Sequence, residues 1–372
     1  METNKGDKEM SNGTPITPEV FKDVDGKLAA TTIGKLAKAG ITTMEQLAYS
    51  TPKEIIELAG IGKDTAEKAV LLAQQIINPG FITADILHSR LDQVSKCSTG
   101  SKQFDRILGG GISVGVITEL IGEYSGGKTQ TCFTLSVLAP LSRERGGLGG
   151  KVVYIDTEGT FEKGGTERLI QIAKARDIDP DEMLKNIIWA RAYNSIHQHE
   201  LIKNLDGVCK EHDVKMVIVD SMLAHLRGEY LGRGTLAERQ GILGGMLGKL
   251  LRLAGANKVA IVLTNQVQAK VDGSGAYGDP NQAAGGHVMA HACTIRCRFW
   301  KGRANTRLVS VIDSSYLPEE KVRVAITEAG ITDEDGSFTS QAEDDGFLET
   351  CAELEKVMNL PLPIKEGDET ND

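Results

Sequence analysis

Hydrophobic positions along this chain follow two patterns, one near the N-terminus and one beyond residue 100. Within residues 15–77, apolar positions recur at helical spacing between glycines, which predicts a small all-helical domain. Beyond residue 100, apolar runs of strand length alternate with helical stretches. Runs without polar alternation are typical of strands buried on both faces of a mostly parallel sheet. We therefore expect an α/β core over residues 100–330, with helices on both faces.

The predicted strands of this core are seven apolar runs. They are VITELIG, KVVYIDTEG, KMVIVDS, VAIVLTNQV, TIRCRFW, LVSVIDS and KVRVAITEAG. The last three lie close together, so we expect hairpin-connected antiparallel strands at one edge of the sheet. Between the strands, the glycine-dense stretch GILGGMLGKLL is a poor helix by propensity.

Polar segments mark the remaining divisions of the chain. Residues 1–14 are polar and mixed in charge, which predicts a disordered N-terminus. Residues 78–99 begin with Asn78-Pro79-Gly80 and are expected to form a linker. Residues 331–372 hold thirteen acidic residues against two lysines and predict an acidic tail. The tail has a net charge of −11 and the whole chain a net charge of −9, so the rest of the chain has a net charge of +2. That charge is compatible with nucleic acid as a partner.

Composition excludes several classes of protein. With 40% hydrophobic and 25% charged residues, the chain of 372 residues has the composition of an ordinary globular protein. It shows neither a signal peptide nor an apolar run long enough to span a bilayer, so we expect an intracellular protein of the cytoplasm or nucleoid with no membrane partner. Six scattered cysteines without a C-x-x-C pair predict reduced thiols rather than disulfides or a metal site.

The stretch GEYSGGKTQ directly follows the apolar run VITELI and has the spacing G-x-x-x-x-G-K-[ST] of a phosphate-binding loop. Glycines let backbone amides surround a polyphosphate, and the following helix adds its positive end. Lys128 would then reach the β/γ-phosphates and Thr129 would ligate Mg²⁺; the alternative is a plain glycine-rich turn. The residues expected to bind the nucleotide are Gly122, Glu123, Tyr124, Ser125, Gly126, Gly127, Lys128, Thr129 and Gln130.

Polar residues also end three other predicted strands. Asp220 follows an apolar run and is expected to support Mg²⁺ and its waters. YIDTEGTF offers Asp156 and Glu158, of which Glu158 is the expected base that activates water. Asn265 and Gln266 are neutral hydrogen-bonding residues suited to sensing a γ-phosphate. Because parallel strands end at one edge of a sheet, these residues predict an ATPase site.

Two irregular, glycine-bearing segments follow these strands, LAHLRGEYLGRGTLAERQ and QAKVDGSGAYGDPNQAAGGHVMAHA. They carry the cationic or titratable residues Arg227, Arg233, Arg239, Lys270, His287 and His291. Such loops could hold the phosphates of a single DNA strand, or merely connect core elements. In the helical domain, Gly60-Ile61-Gly62 predicts either a helix-hairpin-helix turn that holds a DNA phosphate on its amides or a plain helix connection.

The motifs GIGKDTAEKA, GFITA, GEYSGGKTQ, YIDTEGTF, VIVDS, EYLGRGTLAERQ, LTNQVQAKVD and GGHVMAHA occur here in one order. In this order the chain, over roughly residues 17–330, resembles the RecA-type strand-exchange recombinases, above all archaeal RadA and its eukaryotic counterparts. The resemblance implies a RecA-like P-loop ATPase core preceded by a helix-hairpin-helix domain, with ATP and Mg²⁺ as cofactors. It also implies a DNA-dependent ATPase that forms filaments on single-stranded DNA and exchanges it with a homologous duplex in DNA repair.

The resemblance also implies roles for single residues. Gln266 would join Lys128 and Glu158 in catalysis, and with His291 it would couple the γ-phosphate to the DNA loops. Three arginines would lie in or beside the first DNA loop, and Val271 would lie in the second. The arginines are Arg227, Arg233 and Arg239. Phe81 matches, with Ala84, an F-x-x-A motif that adds a strand to a neighbouring protomer's sheet and inserts its ring there. Head-to-tail contacts of this kind build a filament or ring, and recombination mediators are further expected partners.

Two departures from the family pattern favour an alternative. EKGGTERL, after TEGTF, is two residues longer than the family's run and lacks its first arginine, which puts the adenine or ribose contacts in question and leaves Arg168 as the candidate. Ser315 stands where the family tends to place proline. The alternative is a non-exchanging RecA-like ATPase that regulates or assists a recombinase. A DNA-binding architectural protein with a vestigial ATP site is disfavoured because the predicted catalytic set is complete.

Overall fold

The computed structural model describes residues 13–21, 27–77, 81, 83–85, 87, 94–232, 234–269 and 281–338. Its α-helices are α1 (Ala30–Lys38), α2 (Met44–Tyr49), α3 (Pro52–Ala59), α4 (Lys63–Ile77), α5 (Lys102–Ile107), α6 (Lys128–Leu138), α7 (Gly165–Ala175), α8 (Pro180–Lys185), α9 (Ser195–His212), α10 (Ala224–Glu229), α11 (Leu236–Asn257) and α12 (Gly286–Ala292). Its strands are β1 (Lys96–Cys97), β2 (Ile112–Ser113), β3 (Ile117–Gly122), β4 (Lys151–Asp156), β5 (Ile187–Arg191), β6 (Val214–Asp220), β7 (Ala260–Ala269), β8 (Asn281–Ala283), β9 (Ile295–Lys301), β10 (Thr306–Ser314), β11 (Lys321–Thr327) and β12 (Gly330–Asp333).

The N-terminal region is all-helical, as the sequence predicts. Thr43 and Thr51 start α2 and α3 with capping boxes, each accepting from an amide three residues on. The helices close over a small apolar core. The amide of Met44 donates to the carbonyl of Thr14 at 2.8 Å, so Thr14 belongs to this region and not to the predicted disordered N-terminus. Residues 1–12 lie outside the described residues.

This helical region contacts α11. The side chain of Gln46 donates to Asn257 Oδ1 at 3.2 Å, and Glu54 forms an ion pair with Arg252. The Tyr49 ring lies so close to Gly255 that a Cβ there would sit 2.7 Å from the ring. A glycine in α11 is therefore what allows the two regions to approach.

The large sheet is mostly parallel, as predicted. Along it the strands run in the order β12-β11-β10-β9-β3-β7-β6-β4-β5, and β8 pairs with β7. Along this order the neighbours β9-β3-β7-β6-β4-β5 pair in parallel. The neighbours β12-β11-β10-β9 pair antiparallel, and so does β8 with β7. The predicted antiparallel additions are thus present, with two differences. Strand β9 itself runs parallel to β3, and β12 adds a fourth strand.

Helices cover both faces of the parallel part. One face packs against α5, α6 and α7, with Phe133, Tyr154 and Phe161 in mutual ring contact. The other packs against α9, α11 and α12. Nine of the eleven residues of α6 are buried, so the helix that follows the glycine-rich loop is fixed in the core.

Helix α11 forms although its glycine-dense sequence has a low helix propensity. The stretch GILGGMLGKLL lies within a continuous helix of 22 residues. Leu243, Met246, Leu247 and Leu250 of this stretch are buried against the sheet, and this packing supplies the stability that the glycines lack. None of the described helices, α11 included, is both long enough and apolar enough to cross a membrane.

Both predicted ends of the core are corrected. Strand β1 lies inside the expected linker 78–99 and pairs with β2. Strand β12 lies inside the expected acidic tail, and the Arg176 guanidinium donates to the carbonyls of Ala329 and Ile331 at 2.6 and 2.7 Å. The core therefore extends from residue 96 through Asp333, because pairing and a buried cation hold segments that composition assigned elsewhere. Residues 339–372 lie outside the described residues.

Candidate functional site

The glycine-rich loop joins β3 to α6. A Cβ at Gly122 would lie 2.7 Å from the Phe299 carbonyl on the adjacent strand β9, so this position requires glycine. Gly127 caps α6 with φ of 107°, a conformation that L side chains rarely adopt. The loop therefore curls around the free amides at the N-terminus of α6, the arrangement that binds phosphate.

The loop residues differ in exposure. Glu123, Tyr124 and Ser125 are exposed, whereas Gly126 is buried. Thr129 and Gln130 are half-buried in the first turn of α6. The Thr129 hydroxyl therefore lies at the position where the phosphate-loop motif places a magnesium ligand.

Lys128 lies inside the loop. Its Nζ donates to the carbonyls of Gly122 and Glu123, both at 2.9 Å. Burial lowers the pKa of Lys128, and the carboxylates of Asp220 and Glu158 oppose that shift. The ammonium is thus held at the centre of the loop beside both predicted acidic residues.

Asp156 and Glu158 follow the same strand but have different surroundings. Buried Asp156 accepts the backbone amides of Glu158, Gly159 and Phe161 at 3.0, 2.7 and 3.1 Å and pairs with Arg191 at 3.4 Å. These contacts commit Asp156 to shaping the turn. Glu158 is exposed, which leaves it available to substrate and to water.

Gln266 lies next to Glu158. Its Nε2 donates to Glu158 Oε1 at 3.4 Å. The sheet register explains the proximity, since Gly122 pairs with Gln266 and Asp156 pairs with Asp220. Burial raises the pKa of Glu158, Asp220 adds to that rise, and Lys128 opposes it. The structure therefore brings the predicted catalytic residues together at one sheet edge.

Asp220 is buried at the end of β6. It accepts hydrogen bonds from the Tyr154 hydroxyl at 2.7 Å and from Thr264. Since both oxygens already accept from the protein, Asp220 fits a role through metal-bound water. Among the described residues, no group of three or more His, Cys, Asp and Glu could hold a metal ion. The donors present, Thr129 and Asp220, suit Mg²⁺, which binds few side chains and relies on substrate phosphates.

Asn265, predicted beside Gln266 as a γ-phosphate sensor, is hydrogen-bonded within the protein. It is fully buried, and its Nδ2 donates to Glu119 at 2.6 Å and to the Ala284 carbonyl at 2.7 Å. Its side chain alternates with that of Gln266 along β7, and both line the cavity beside Arg227 that is described below. Sequence reasoning also missed Glu119 and its partner Arg296, although a carboxylate inside the apolar run VITELI is a signal that could have found them.

Arg168 contacts the loop helix and not the loop itself. Its Nε donates to Gln130 Oε1 at 2.8 Å, and its guanidinium reaches the carbonyls of Thr327 and Glu328. Burial lowers the pKa of Arg168. The longer segment before it, which begins as a short 3-10 helix at Phe161–Lys163, leads directly into α7. Contact between Arg168 and a nucleotide remains a prediction.

The first predicted DNA segment borders the ATPase edge. Arg227, on α10, lines a cavity of about 320 Å³ together with Ser221, Asn265 and Gln266. Arg239 is half-buried in the first turns of α11. Arg233 lies outside the described residues. The cavity thus connects the predicted γ-phosphate sensor with the start of the first DNA segment.

The second predicted DNA segment leaves the sheet beside Gln266. Its residues 270–280, with Lys270 and Val271, lie outside the described residues. His287 and His291 are exposed on α12 with their rings stacked at 6.0 Å. Both imidazoles are therefore available on one face of a helix that starts where the segment ends.

The other predicted sites lie on separate elements. Gly60 adopts φ of 59° and ends α3, and Gly62 directly precedes α4, so the two helices form a hairpin. Phe81 and Ala84 are exposed, and the Phe81 side chain has a relative exposure of 110%. The DNA and assembly roles of these residues remain predictions.

Comparison with known proteins identifies the relatives of this chain. The sequence model of the Rad51 family matches residues 90–334. A protein from Aeropyrum pernix described as "DNA repair and recombination protein RadA" is 46% identical over 303 residues, which cover 82% of this chain and 93% of that relative. The match to the Rad51 model spans the glycine-rich loop, both predicted DNA segments, and the residues Lys128, Glu158, Asp220 and Gln266. The chain belongs to the Rad51 family.

Proposed function

We propose that this chain is an ATP-dependent DNA recombinase that polymerises on single-stranded DNA and exchanges it with a homologous duplex in recombinational repair. The observation that carries the proposal is the sheet edge where the Gln266 side chain contacts Glu158 beside Lys128. Family membership and the similarity to RadA support it. The comparisons lend no support to the alternative of a non-exchanging regulatory ATPase.

At this edge each residue has a distinct task. Lys128 neutralises phosphate charge, and the amides of the loop and α6 hold the polyphosphate. Glu158 accepts a proton from the attacking water, as its raised pKa suits a general base. Thr129 would ligate Mg²⁺ and Asp220 would hold it through bound water, and the ion would supply further charge neutralisation on the phosphates. Gln266 reports the state of the nucleotide to the second DNA segment.

DNA binding is assigned to the two segments and the helical hairpin. Arg227, Arg233 and Arg239 contact phosphates from the first segment, and Val271 and His291 belong to the second. Gly60 and Gly62 let the amides that open α4 hold a phosphate without reading sequence. Support comes from the cavity that Arg227 and Gln266 both line, because it places a residue of the first DNA segment next to a residue of the proposed nucleotide site.

Assembly is assigned to Phe81 and Ala84. An exposed aromatic ring that precedes the core is suited to a pocket on a second copy of the chain, and β5 ends the sheet with one edge unpaired among the described strands. A contact of this type is head-to-tail and generates a helical filament or a ring. Recombination mediators are further proposed partners, and the proposed site of action is the cytoplasm or nucleoid.

Homologous strand pairing measured with and without ATP, beside DNA-stimulated hydrolysis, tests the proposal. We expect joint molecules to form between a single strand and a homologous duplex only when ATP is present. A heterologous duplex is the matched control. Hydrolysis that DNA stimulates without any joint molecules would instead indicate the regulatory ATPase.

A further inference from the structure

Glu119 is a carboxylate in the middle of the sheet. It lies on β3, three residues before the glycine-rich loop, and is fully buried. It shares the strand face of Ile117, which packs among the residues of α11 and α12. A buried charge is costly unless it is paired and hydrogen-bonded, so its partners indicate why it is there.

Two side chains satisfy Glu119. Arg296 on β9 donates from Nε at 2.7 Å, and Asn265 on β7 donates from Nδ2 at 2.6 Å. Arg296 also reaches Asp313 at 3.5 Å. Burial raises the pKa of Glu119, and the positive charge of Arg296 opposes that rise. The carboxylate therefore joins three neighbouring strands through its two oxygens.

Asn265 carries this contact to the stem of the second predicted DNA segment. The same Nδ2 donates to the Ala284 carbonyl at 2.7 Å, and the Ala284 amide donates to the Gln266 carbonyl at 3.0 Å. Gln240 of α11 adds a bond to the Gly285 carbonyl at 3.3 Å. Ala284 is thus held between Asn265 and Gln266, at the point where the segment returns to the fold.

We infer that Glu119 is a positioning residue that fixes Asn265, and through it the stem formed by Gln266 and Ala284. Because this stem joins the second DNA segment to the catalytic edge, Glu119 keeps the position of the stem constant relative to that edge. The inference rests on the proposed function. The carboxylate touches neither nucleotide nor DNA; it acts through Asn265. Removing its charge loosens the stem and weakens the response of hydrolysis to DNA, whereas the glycine-rich loop keeps its shape.

The test compares Glu119→Gln, Asn265→Ala and the control Asp333→Asn in the full chain. Asp333 is also a buried carboxylate held by a serine and a backbone amide, but it lies on β12. We expect the first two variants to lower the DNA-stimulated rate about tenfold, a size typical of coupling between two sites. KM for ATP stays within about twofold, since contacts to the nucleotide are untouched. Asp333→Asn keeps the wild-type ratio of stimulated to basal rate.

Two further measurements separate positioning from loss of stability. In the double variant the losses should not add, because both changes break one chain of contacts. Hydrogen–deuterium exchange should quicken in segments 264–269 and 281–292 of Glu119→Gln and stay unchanged in 128–138. If Glu119→Gln fails to fold, Asn265→Ala still breaks the link and leaves the Glu119–Arg296 ion pair intact.

Contrary outcomes are distinct for the inference and for the proposed function. A wild-type stimulation ratio in both variants, additive losses, or unchanged exchange at 264–269 and 281–292 overturns the positioning role. A wild-type protein whose hydrolysis ignores DNA overturns the proposed function instead. In that case the exchange measurement still decides whether Glu119 holds the stem.

Discussion

Chemically similar neighbours have different roles at the residue scale. The Asp156 carboxylate accepts hydrogen bonds from the amides of the turn, whereas Glu158 two residues later is exposed. Asn265 is buried against Glu119, whereas Gln266 reaches Glu158. For Asn265 and Gln266, strand alternation turns the two side chains to opposite faces. Asp156 instead ends β4, and Glu158 lies in the turn that follows it.

Lys128→Ala and Glu158→Gln should separate binding from hydrolysis. Lys128→Ala removes the cation at the centre of the loop, so ATP hydrolysis should be abolished. Glu158→Gln keeps the size of the side chain and removes the base, so the variant should bind ATP and stay on DNA. Single-turnover hydrolysis and dissociation from DNA measure the two effects. Normal turnover in Glu158→Gln would show that another group activates water.

Hydrolysis should also depend on pH through Glu158. A general base works only when ionised, and burial raises the pKa of Glu158 above its ordinary value of 4.5. The rate should therefore fall with decreasing pH through a midpoint above 4.5. The measurement is kcat at saturating ATP against pH, with thermal unfolding followed in parallel as the control. A midpoint at or below the ordinary value contradicts the assignment.

Elements follow the sequence where the signal is local and depart from it where distant contacts decide. The strand runs, the glycine-rich loop and the helical region could be predicted because their periodicity and turn residues lie within a few positions. Helix α11 could not, because its stability comes from leucines packed on the sheet. Strand β12 could not either, because its acidic composition resembles that of a tail although it forms a hairpin with β11. Its contact with Arg176 also joins residues far apart in the sequence.

For α10, the proposed contact of Arg227 with DNA predicts that replacing Arg227 changes the salt dependence of DNA affinity. If Arg227 neutralises a phosphate, Arg227→Ala should reduce the slope of log affinity against log salt by about 0.7 for single-stranded DNA. Arg143→Ala is the matched control, since Arg143 is exposed on a short 3-10 helix after α6. Fluorescence anisotropy at several salt concentrations measures both. Equal slopes for the two variants would make the first segment a simple connection.

At the scale of the whole molecule, the described residues form a helical region docked on α11 and one sheet whose carboxyl edge holds the candidate site. Family membership could be predicted because several specific short motifs occur in one order along the chain, and the Rad51 model matches residues 90–334 that hold most of them. Assembly could not be read from a single chain, since the pocket for Phe81 would belong to a second copy.

Assembly should depend on Phe81. A buried aromatic anchor is typically worth about 2 kcal/mol or more, so Phe81→Glu should convert filaments or rings to monomers while the fold stays intact. Leu71→Glu is the matched control because Leu71 is likewise exposed, on α4 of the helical region. Light scattering gives the mass and circular dichroism the fold. Unchanged assembly of Phe81→Glu would exclude the motif as the anchor.

The acidic C-terminal residues should compete with DNA. Residues 339–372 contain ten acidic residues against two lysines, and like charge near the cationic segments would oppose phosphate. Deletion after Phe338 preserves β12 and the contact of the Phe338 ring with Arg176 at 4.6 Å. It should tighten single-strand binding at low salt and change little at high salt, because ions screen the competition. Equal affinities at low salt would leave these residues a solubilising role.

Among the described strands β5 keeps one unpaired edge, and this edge gives a filament, unlike a closed ring, two different ends. One terminal protomer would present a free β5 and the other a free Phe81, so the polymer has a direction and its two ends grow at different rates. A short peptide that carries the sequence around Phe81 would cap only the end that presents β5. Elongation from the opposite end would continue, and such a peptide would therefore reveal growth polarity by halting one end while the other still lengthens.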